Sequence, residues 1–376
     1  MGQGAVAVME IRAAVARAPH TGFSIETATL EEPGPGEVLI AIAGVGICHT
    51  DLVARDQFIP IPLPAVLGHE GSGTVLRVGA GVTKVAAGDP VVLSFRSCGH
   101  CRQCAANLPS YCKEFPALNY SGARPDGTSG VRIGGRVASA NFFGQSSFAT
   151  HALAHERNVV KVSDRAGLEI LGPLGCGLQT GAGGVIRSLA CPRGSSIAIF
   201  GGGPVGLAAV MGAVIQGCAL IILVEPIESR RRLALELGAT HVIDPTRGDV
   251  AAAVRSIAPD GVEFAFETSG KESVVETALS TLSSHGLLGL VGVPPTPQSS
   301  LTINLAALIT FGHRIHGIIE GDSDLDHFIP ELLALHRAGR FPFDKLIRTF
   351  PFDSINEAIE AQLRGECVKA VLVNSL

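Results

Sequence analysis

The run Gly201-Gly202-Gly203-Pro204-Val205-Gly206 constrains the fold more than any other stretch, because of what flanks it. It fits G-x-G-x-x-G, follows the β-rich segment SSIAIF (195–200) and opens an apolar helical pattern. In that setting Gly201 permits a tight turn, Gly203 lets backbone approach a pyrophosphate, and Gly206 lets helix and strand pack closely. Pro204 and Val205 then begin a helix whose free N–H groups face the phosphates. Further strand candidates follow at ALIILV (219–224), HVID (241–244), VEFAFE (262–267), GLLGLV (286–291) and GHRIHGI (312–318). Helical periodicity fills the gaps, notably ESRRRLALELG, which ends on Gly238 as a cap. Six strands with crossover helices predict a doubly wound parallel sheet, an α/β coenzyme domain of the Rossmann type.

Glu225 ends the second of these strands about 20 residues after Gly206, where an acidic side chain bonds an adenosine ribose. Its charge repels a 2′-phosphate, so NAD is expected rather than NADP. Arg230, Arg231 and Arg232 stand against that choice, although a solvated helix face explains them equally well.

The first 110 or so residues have a different rhythm. Short β-rich runs such as EVLIAIAGVG, GSGTVLRVGAGV and GDPVVLSF alternate with Gly/Pro turns, which predicts a compact barrel-like β unit. After about Gly317 a long helix (DLDHFIPELLALHRAG), FPFDKLI and a last strand KAVLVN lie outside the six-strand unit, so the tail is expected to return to the N-terminal domain. Lys113 to Asn141 reads as the one long irregular segment, a linker or a site-covering loop.

At 376 residues the chain is long enough for two domains. With 29 Lys+Arg against 34 Asp+Glu, its net charge of -5 gives no reason to expect nucleic acid or an anionic membrane, and a small-molecule partner fits better. The N-terminal residues do not read as an export signal, and no apolar run reaches the length of a spanning helix, so a cytoplasmic protein is expected. Nine cysteines in a reducing compartment point to metal or catalysis rather than disulfides.

Cys98, Cys101, Cys104 and Cys112 form C-x-x-C-x-x-C-x7-C, a lobe at about residues 95–115. Four such thiolates can enclose one Zn²⁺ and leave no open position, as a structural site requires. An iron–sulfur cluster also uses four thiolates, but the surrounding chain suits zinc better. Cys48 in GICHTDL, His69 in LGHEGSG and Cys176 in GPLGCGLQTG make a second set. Cys₂His leaves a fourth position for water or substrate, the mark of a catalytic zinc. Taken singly, each of the three reads as an ordinary interior residue.

GHEGSGTVLRVGAGV, the four-cysteine lobe and GGGPVG together resemble the medium-chain zinc alcohol dehydrogenase family over essentially the whole chain. CHTDLVARDQ, PLPAVLGHEGSG, FFGQSSFATHA and LGPLGCGLQTGAG resemble its aryl-alcohol (benzyl-alcohol) branch, and bacterial geraniol dehydrogenases are similar there too. The resemblance implies a GroES-like catalytic domain (1–177 and 318–376) and a Rossmann NAD-binding domain (178–317). It also implies a catalytic and a structural Zn²⁺ per subunit, NAD as coenzyme, and a homodimer or homotetramer.

Carried over by position, Cys48, His69 and Cys176 hold the catalytic zinc, Asp51 bonds the free ring nitrogen of His69, and Glu70 sits behind the metal. Thr50 matches the hydroxyl that starts a proton relay. Better-known relatives continue through the coenzyme ribose to a His where this chain has Val53, so His49 or water is expected to take the proton instead. Thr180 is expected near the nicotinamide and Lys369 near the pyrophosphate, with Val291 and Arg230 among the coenzyme-binding residues. Phe95, Phe142, Phe143 and Val293 are the expected pocket walls, and aromatic walls suit flat substrates.

The implied activity is reversible, NAD-linked oxidation of a primary aromatic alcohol to its aldehyde. An allylic terpene alcohol of the geraniol type is the alternative substrate. Glutathione-linked formaldehyde oxidation and a non-catalytic NAD-binding relative are the competing readings, and the second is expected to lose catalytic ligands, none of which is missing here.

Overall fold

Strands Ser196–Phe200, Leu220–Val224, His241–Ile243, Val262–Glu267, Leu282–Leu290 and Arg314–Gly317 form one all-parallel sheet in the computed structural model. Numbered along the chain, their order across the sheet is 3-2-1-4-5-6, the doubly wound arrangement. Parallel strands are covered on both faces, which is why Ile197, Ala198, Ile199 and Phe200 are all buried rather than alternating with polar residues. Ala198, Phe200, Ile222, Val224, Val254, Ala265, Val275 and Leu288 belong to one core cluster beneath the helices.

The glycine turn does what its spacing predicts. Gly201 has φ +103°, and a Cβ on Gly206 would lie 1.8 Å from the Gly201 carbonyl oxygen, so no larger residue fits where helix Pro204–Gln216 leaves the strand. Pro204 occupies the first helical turn, where its missing N–H costs nothing. Helix Glu228–Glu236 stops one residue after its last turn, with Gly238 at φ +106°.

The remainder of the chain is built on two sheets that are antiparallel except for the parallel pair Ile347–Pro351 and Lys369–Val373. One has the order Ala65–Val66, Val8–Ala16, Ser24–Glu31, Val131–Ile133 and Arg136–Val137. The other runs Val159–Lys161, Pro90–Leu93, Gly71–Val78, Glu37–Gly46, Lys369–Val373 and Ile347–Pro351, with His151–His155 also paired to Glu37–Gly46. Lys369–Val373 pairs with Gly44–Gly46, so the tail does return to the N-terminal domain.

Residues 8–163, 165 and 167–374 are described; the opening residues read for an export signal lie partly outside them. The chain divides into one unit of Met1–Cys176, Asp324–Pro330 and Leu346–Leu376, and another of Gly177–Ser323 and Glu331–Lys345. Residues 318–323 and 331–345 thus group with the parallel-sheet unit and not, as expected from the sequence, with the N-terminal domain; the helix Leu325–Arg337 is divided between the two.

Lys113–Asn141 needs correction, being neither linker nor plain loop. It holds helix Phe115–Asn119 and a hairpin whose strand Val131–Ile133 pairs with Ala28–Leu30. Short elements flanked by Gly and Ser carry too little periodicity to be read in advance. Among the described residues, no helix is long and apolar enough to cross a membrane.

Candidate metal centre and coenzyme site

Cys48, His69, Glu70 and Cys176 each place one ligand atom within 4.8 Å of the others, all in the first unit. Local structure explains how. Cys48 caps helix His49–Arg55, and Asp51 in its first turn accepts the Cys48 N–H at 3.0 Å. A carboxylate is favoured at that helix end. The same Asp51, fully buried, also accepts from Gly68 N–H and lies 2.8 Å from His69 Nδ1. A carboxylate oxygen needs a donor, so Nδ1 carries a proton and Nε2 is the nitrogen left for a metal. Nε2 is buried with no hydrogen-bond partner in the protein.

A buried imidazole nitrogen with no hydrogen-bond partner, beside two thiols, fits a tetrahedral Cys₂His metal site. Burial disfavours a charged His69, but Asp51 and Cys48 outweigh it and raise its pKa well above the usual range, so a metal ion bound at Nε2 takes the place of a proton. Cys48 is held well below the ordinary thiol range, first by its hydrogen bond with Cys176. Thr50 Oγ1 lies 3.6 Å from Cys48 Sγ, His49 is exposed, and Val53 is buried.

Glu70 places a carboxylate oxygen within 4.8 Å of the thiols and imidazole nitrogen. Burial raises its pKa, while Lys369 opposes that rise. Lys369, expected near the pyrophosphate, has its Nζ bound to Glu70 Oε1 at 2.7 Å and to the Ile47 carbonyl at 2.9 Å, in a residue 1% exposed. Strand pairing of Lys369–Val373 against Gly44–Gly46 brings it there. Gly46 makes room for the carboxylate, since a Cβ there would lie 2.0 Å from Glu70 Oε2.

Aromatic rings close around the imidazole. Phe143 stacks on His69 at 4.4 Å between centroids, and Phe142 meets it edge-on at 5.4 Å. Phe143 adopts φ +51°, a left-handed conformation unusual for a bulky residue and held by the surrounding packing. Phe115 and Tyr120 contact Phe143 in turn, and Phe95 reaches the group through Phe115. Phe95 therefore stands two rings further from His69 than Phe143.

In the cysteine lobe, the four sulfurs of Cys98, Cys101, Cys104 and Cys112 lie within 4.8 Å of one another. Cys98 and Cys104 are 4.0 Å apart, as are Cys101 and Cys112. Thiolates about 2.3 Å from a tetrahedral centre have edges of about 3.8 Å, so a zinc ion fits with little adjustment. Backbone N–H groups of Cys98 and Glu114 point at Cys112 Sγ, and that of Cys101 at Cys98 Sγ, where metal-bound thiolates would accept them.

The coenzyme residues belong to the second unit. A Cβ on Gly203 meets nothing within 4 Å, and its φ of −74° is ordinary, so the glycine is not required by the protein's own packing. Open space at the helix N-terminus is the cradle that a pyrophosphate fills. Glu225, 3% exposed, accepts from the N–H groups of Gly202 and Ile227. Arg231 is held by Asp244 and the carbonyls of Glu225 and Pro226, while exposed Arg232 pairs with Glu228. Arg230 is half-buried, with its Nε unpartnered. Thr180 lies 3.5 Å from the buried carboxylate of Glu320, which also accepts from Gln179. Val291 donates its N–H to the Glu267 carbonyl, and Val293 is half-buried beyond it.

Gln145, Ser94, Tyr120 and Glu320 also surround these groups, and nothing in the sequence marks them for it. Gln145 stands inside the quoted FFGQSSF, which marked resemblance without indicating a role.

Comparison with known proteins agrees with this chemistry. Residues 34–164 match the family model of the alcohol dehydrogenase GroES-like domain, and residues 204–335 that of the zinc-binding dehydrogenase. A geraniol dehydrogenase from Castellaniella defragrans is 49% identical over 364 residues, 96% of this chain and 97% of that protein. Among solved structures, an alcohol dehydrogenase zinc-binding domain protein from Burkholderia ambifaria superposes with a TM-score of 0.95 at 48% identity, covering 98% of this chain and 99% of that one. The benzyl alcohol dehydrogenase of Acinetobacter calcoaceticus gives 0.94 at 41% identity, covering 98% and 100%. Two family models that together span most of the chain, and 49% identity over 96% of it, show that the chain belongs to the zinc-dependent medium-chain alcohol dehydrogenase family.

Proposed function

We propose that this protein catalyses reversible, NAD-linked oxidation of a primary aromatic alcohol of the benzyl type to its aldehyde. The observation that carries this reading is the buried His69 Nε2, aimed between Cys48 and Cys176 and walled by Phe142 and Phe143. Cys48, His69 and Cys176 would hold a catalytic zinc, and the four-cysteine lobe a structural one. A zinc ion held there would acidify an alcohol hydroxyl, and NAD⁺ would accept the hydride. The chain's own residues do the rest. Asp51 holds the Nδ1 proton and so leaves Nε2 as the nitrogen for the metal, and Thr50 Oγ1 passes on the hydroxyl proton beside Cys48. Exposed His49 or water then takes it to solvent. Glu225 favours NAD over NADP by charge.

Oxidation of an allylic terpene alcohol is the second reading, supported by the 49% identity to a geraniol dehydrogenase. Following NADH absorbance with benzyl alcohol, cinnamyl alcohol, geraniol and ethanol, each with NAD⁺ and with NADP⁺, ranks them. Highest kcat/KM on benzyl alcohol with NAD⁺, abolished by chelation, is expected. Preference for geraniol selects the second reading, and no turnover by zinc-loaded protein selects a non-catalytic relative.

The same reading makes the protein a cytoplasmic homodimer or homotetramer with a small-molecule substrate, binding neither nucleic acid nor membrane. Support for self-association comes from Leu305, Ile309 and Phe311, exposed on one short helix beside the edge strand Arg314–Gly317. Light scattering of Ile309→Asp against the natural protein tests it, and an unchanged mass argues against this face.

A further inference from the structure

The three proposed zinc ligands come from distant parts of the chain, so something must set the spacing of their backbones. Asp51 does this for one pair, bonding both Cys48 N–H and His69 Nδ1. A second buried connection links His69 to Cys176.

Strands Gly71–Val78 and Pro90–Leu93 pair through Thr74 with Pro90, Gly73 with Val91 and Ser72 with Val92, and there the ladder ends. Beyond that point the two backbones part, and the Gln145 amide stands in the fork. Its Nε2 donates to the His69 carbonyl at 2.9 Å and to the Ser94 carbonyl at 3.1 Å. Its Oε1 accepts from Gly71 N–H at 3.2 Å and from Ser147 Oγ at 2.9 Å. Both N–H groups and both lone pairs of the amide are used, so its orientation is determined: a flip would set oxygen against two carbonyls.

Ser94 carries the connection onward. Its Oγ donates to the carbonyl of Gly175, the residue before Cys176, at 2.5 Å. Gly175 is itself pressed close, since a Cβ there would lie 1.9 Å from the Leu93 carbonyl oxygen. Gln145 is 1% exposed and Ser94 fully buried, so water cannot replace either side chain without reorganisation.

We propose that Gln145, acting through Ser94, is the positioning residue that sets the spacing of His69 and Cys176, and with it the affinity and geometry of the catalytic metal. This rests on the metal-centre reading above. Partners one shell beyond metal ligands typically change affinity 10- to 100-fold when removed. Methionine at position 145 keeps the bulk but removes the amide's bonds to two carbonyls and an N–H.

The test compares the natural protein with Gln145→Met and Ser94→Ala, each loaded with metal. It reads the rate at which a chelator removes the catalytic ion, and the visible absorption after Co²⁺ is exchanged selectively into that site. The four-thiolate ion is the internal control. Release from the Cys₂His site about 10- to 100-fold faster in Gln145→Met, a smaller increase in Ser94→Ala, and shifted Co²⁺ bands are expected, with the control unchanged. Unaltered release and bands overturn the proposal even if the melting temperature falls, because a merely structural amide moves stability and not the spectrum. If Gln145→Met does not fold, Ser94→Ala decides by the same readouts. Failure of the natural protein to hold a Cys₂His-bound ion overturns the metal-centre reading itself, and is seen before any variant is compared.

Discussion

Lys369 and Glu70 form an ion pair at 2.6 Å in the interior of the first unit, and neither side chain is open to solvent. Taking both charges out of water is costly, so the pair is tolerable only while both members are present. Lys369→Met strands the Glu70 carboxyl and is expected to lower stability by about 3–5 kcal/mol, read from urea unfolding. Adding Glu70→Gln should recover much of that loss. A single variant as stable as the natural protein would show that the pair contributes nothing.

Asp51→Asn removes the charge that orients His69 but keeps the shape. Zinc affinity of the Cys₂His site should fall about 10- to 100-fold in chelator competition, while the four-thiolate site holds its ion. Equal loss from both sites would point to general unfolding.

Two glycines of one motif should respond differently to alanine. Gly206→Ala places a methyl 1.8 Å from the Gly201 oxygen and should destabilise the turn whether or not coenzyme is present. Gly203→Ala meets no protein atom within 4 Å and should melt normally. Its NADH affinity, measured by fluorescence titration, should nevertheless fall at least about tenfold, as the methyl occupies space meant for phosphate. Normal NADH binding by Gly203→Ala would exclude the cradle.

His155 carries the pH prediction. Burial, with Arg96 next in importance, pushes its pKa down to about 4 from 6.5. Between those values the folded protein binds fewer protons than the unfolded chain, so stability rises with pH across the window and is lost as pH falls from about 6.5 towards 4. His155→Gln should flatten the dependence of the urea midpoint between pH 6.5 and 4. An identical slope in both proteins would assign the acid sensitivity elsewhere.

Sequence alone determined the features whose physics is local. Cys98-x-x-Cys101-x-x-Cys104 is a ligand set by spacing, and the parallel sheet follows from apolar runs alternating with helical periodicity around Gly201–Gly206. His69 and Cys176 were legible because bare thiols and imidazoles beside glycine are chemically distinctive once they occur together. Tertiary structure alone decided the rest. Lys369 carries no sign of its partner 299 residues away, and it becomes the counter-ion of Glu70 only because the last strand pairs beside Gly46. Gln145 and Ser94 are ordinary polar residues until the ladder between two strands ends and leaves backbone groups that an amide must satisfy. Hydrogen bonds within a fork and ion pairs within a core are properties of converging backbones, and no periodicity along the chain encodes where backbones converge.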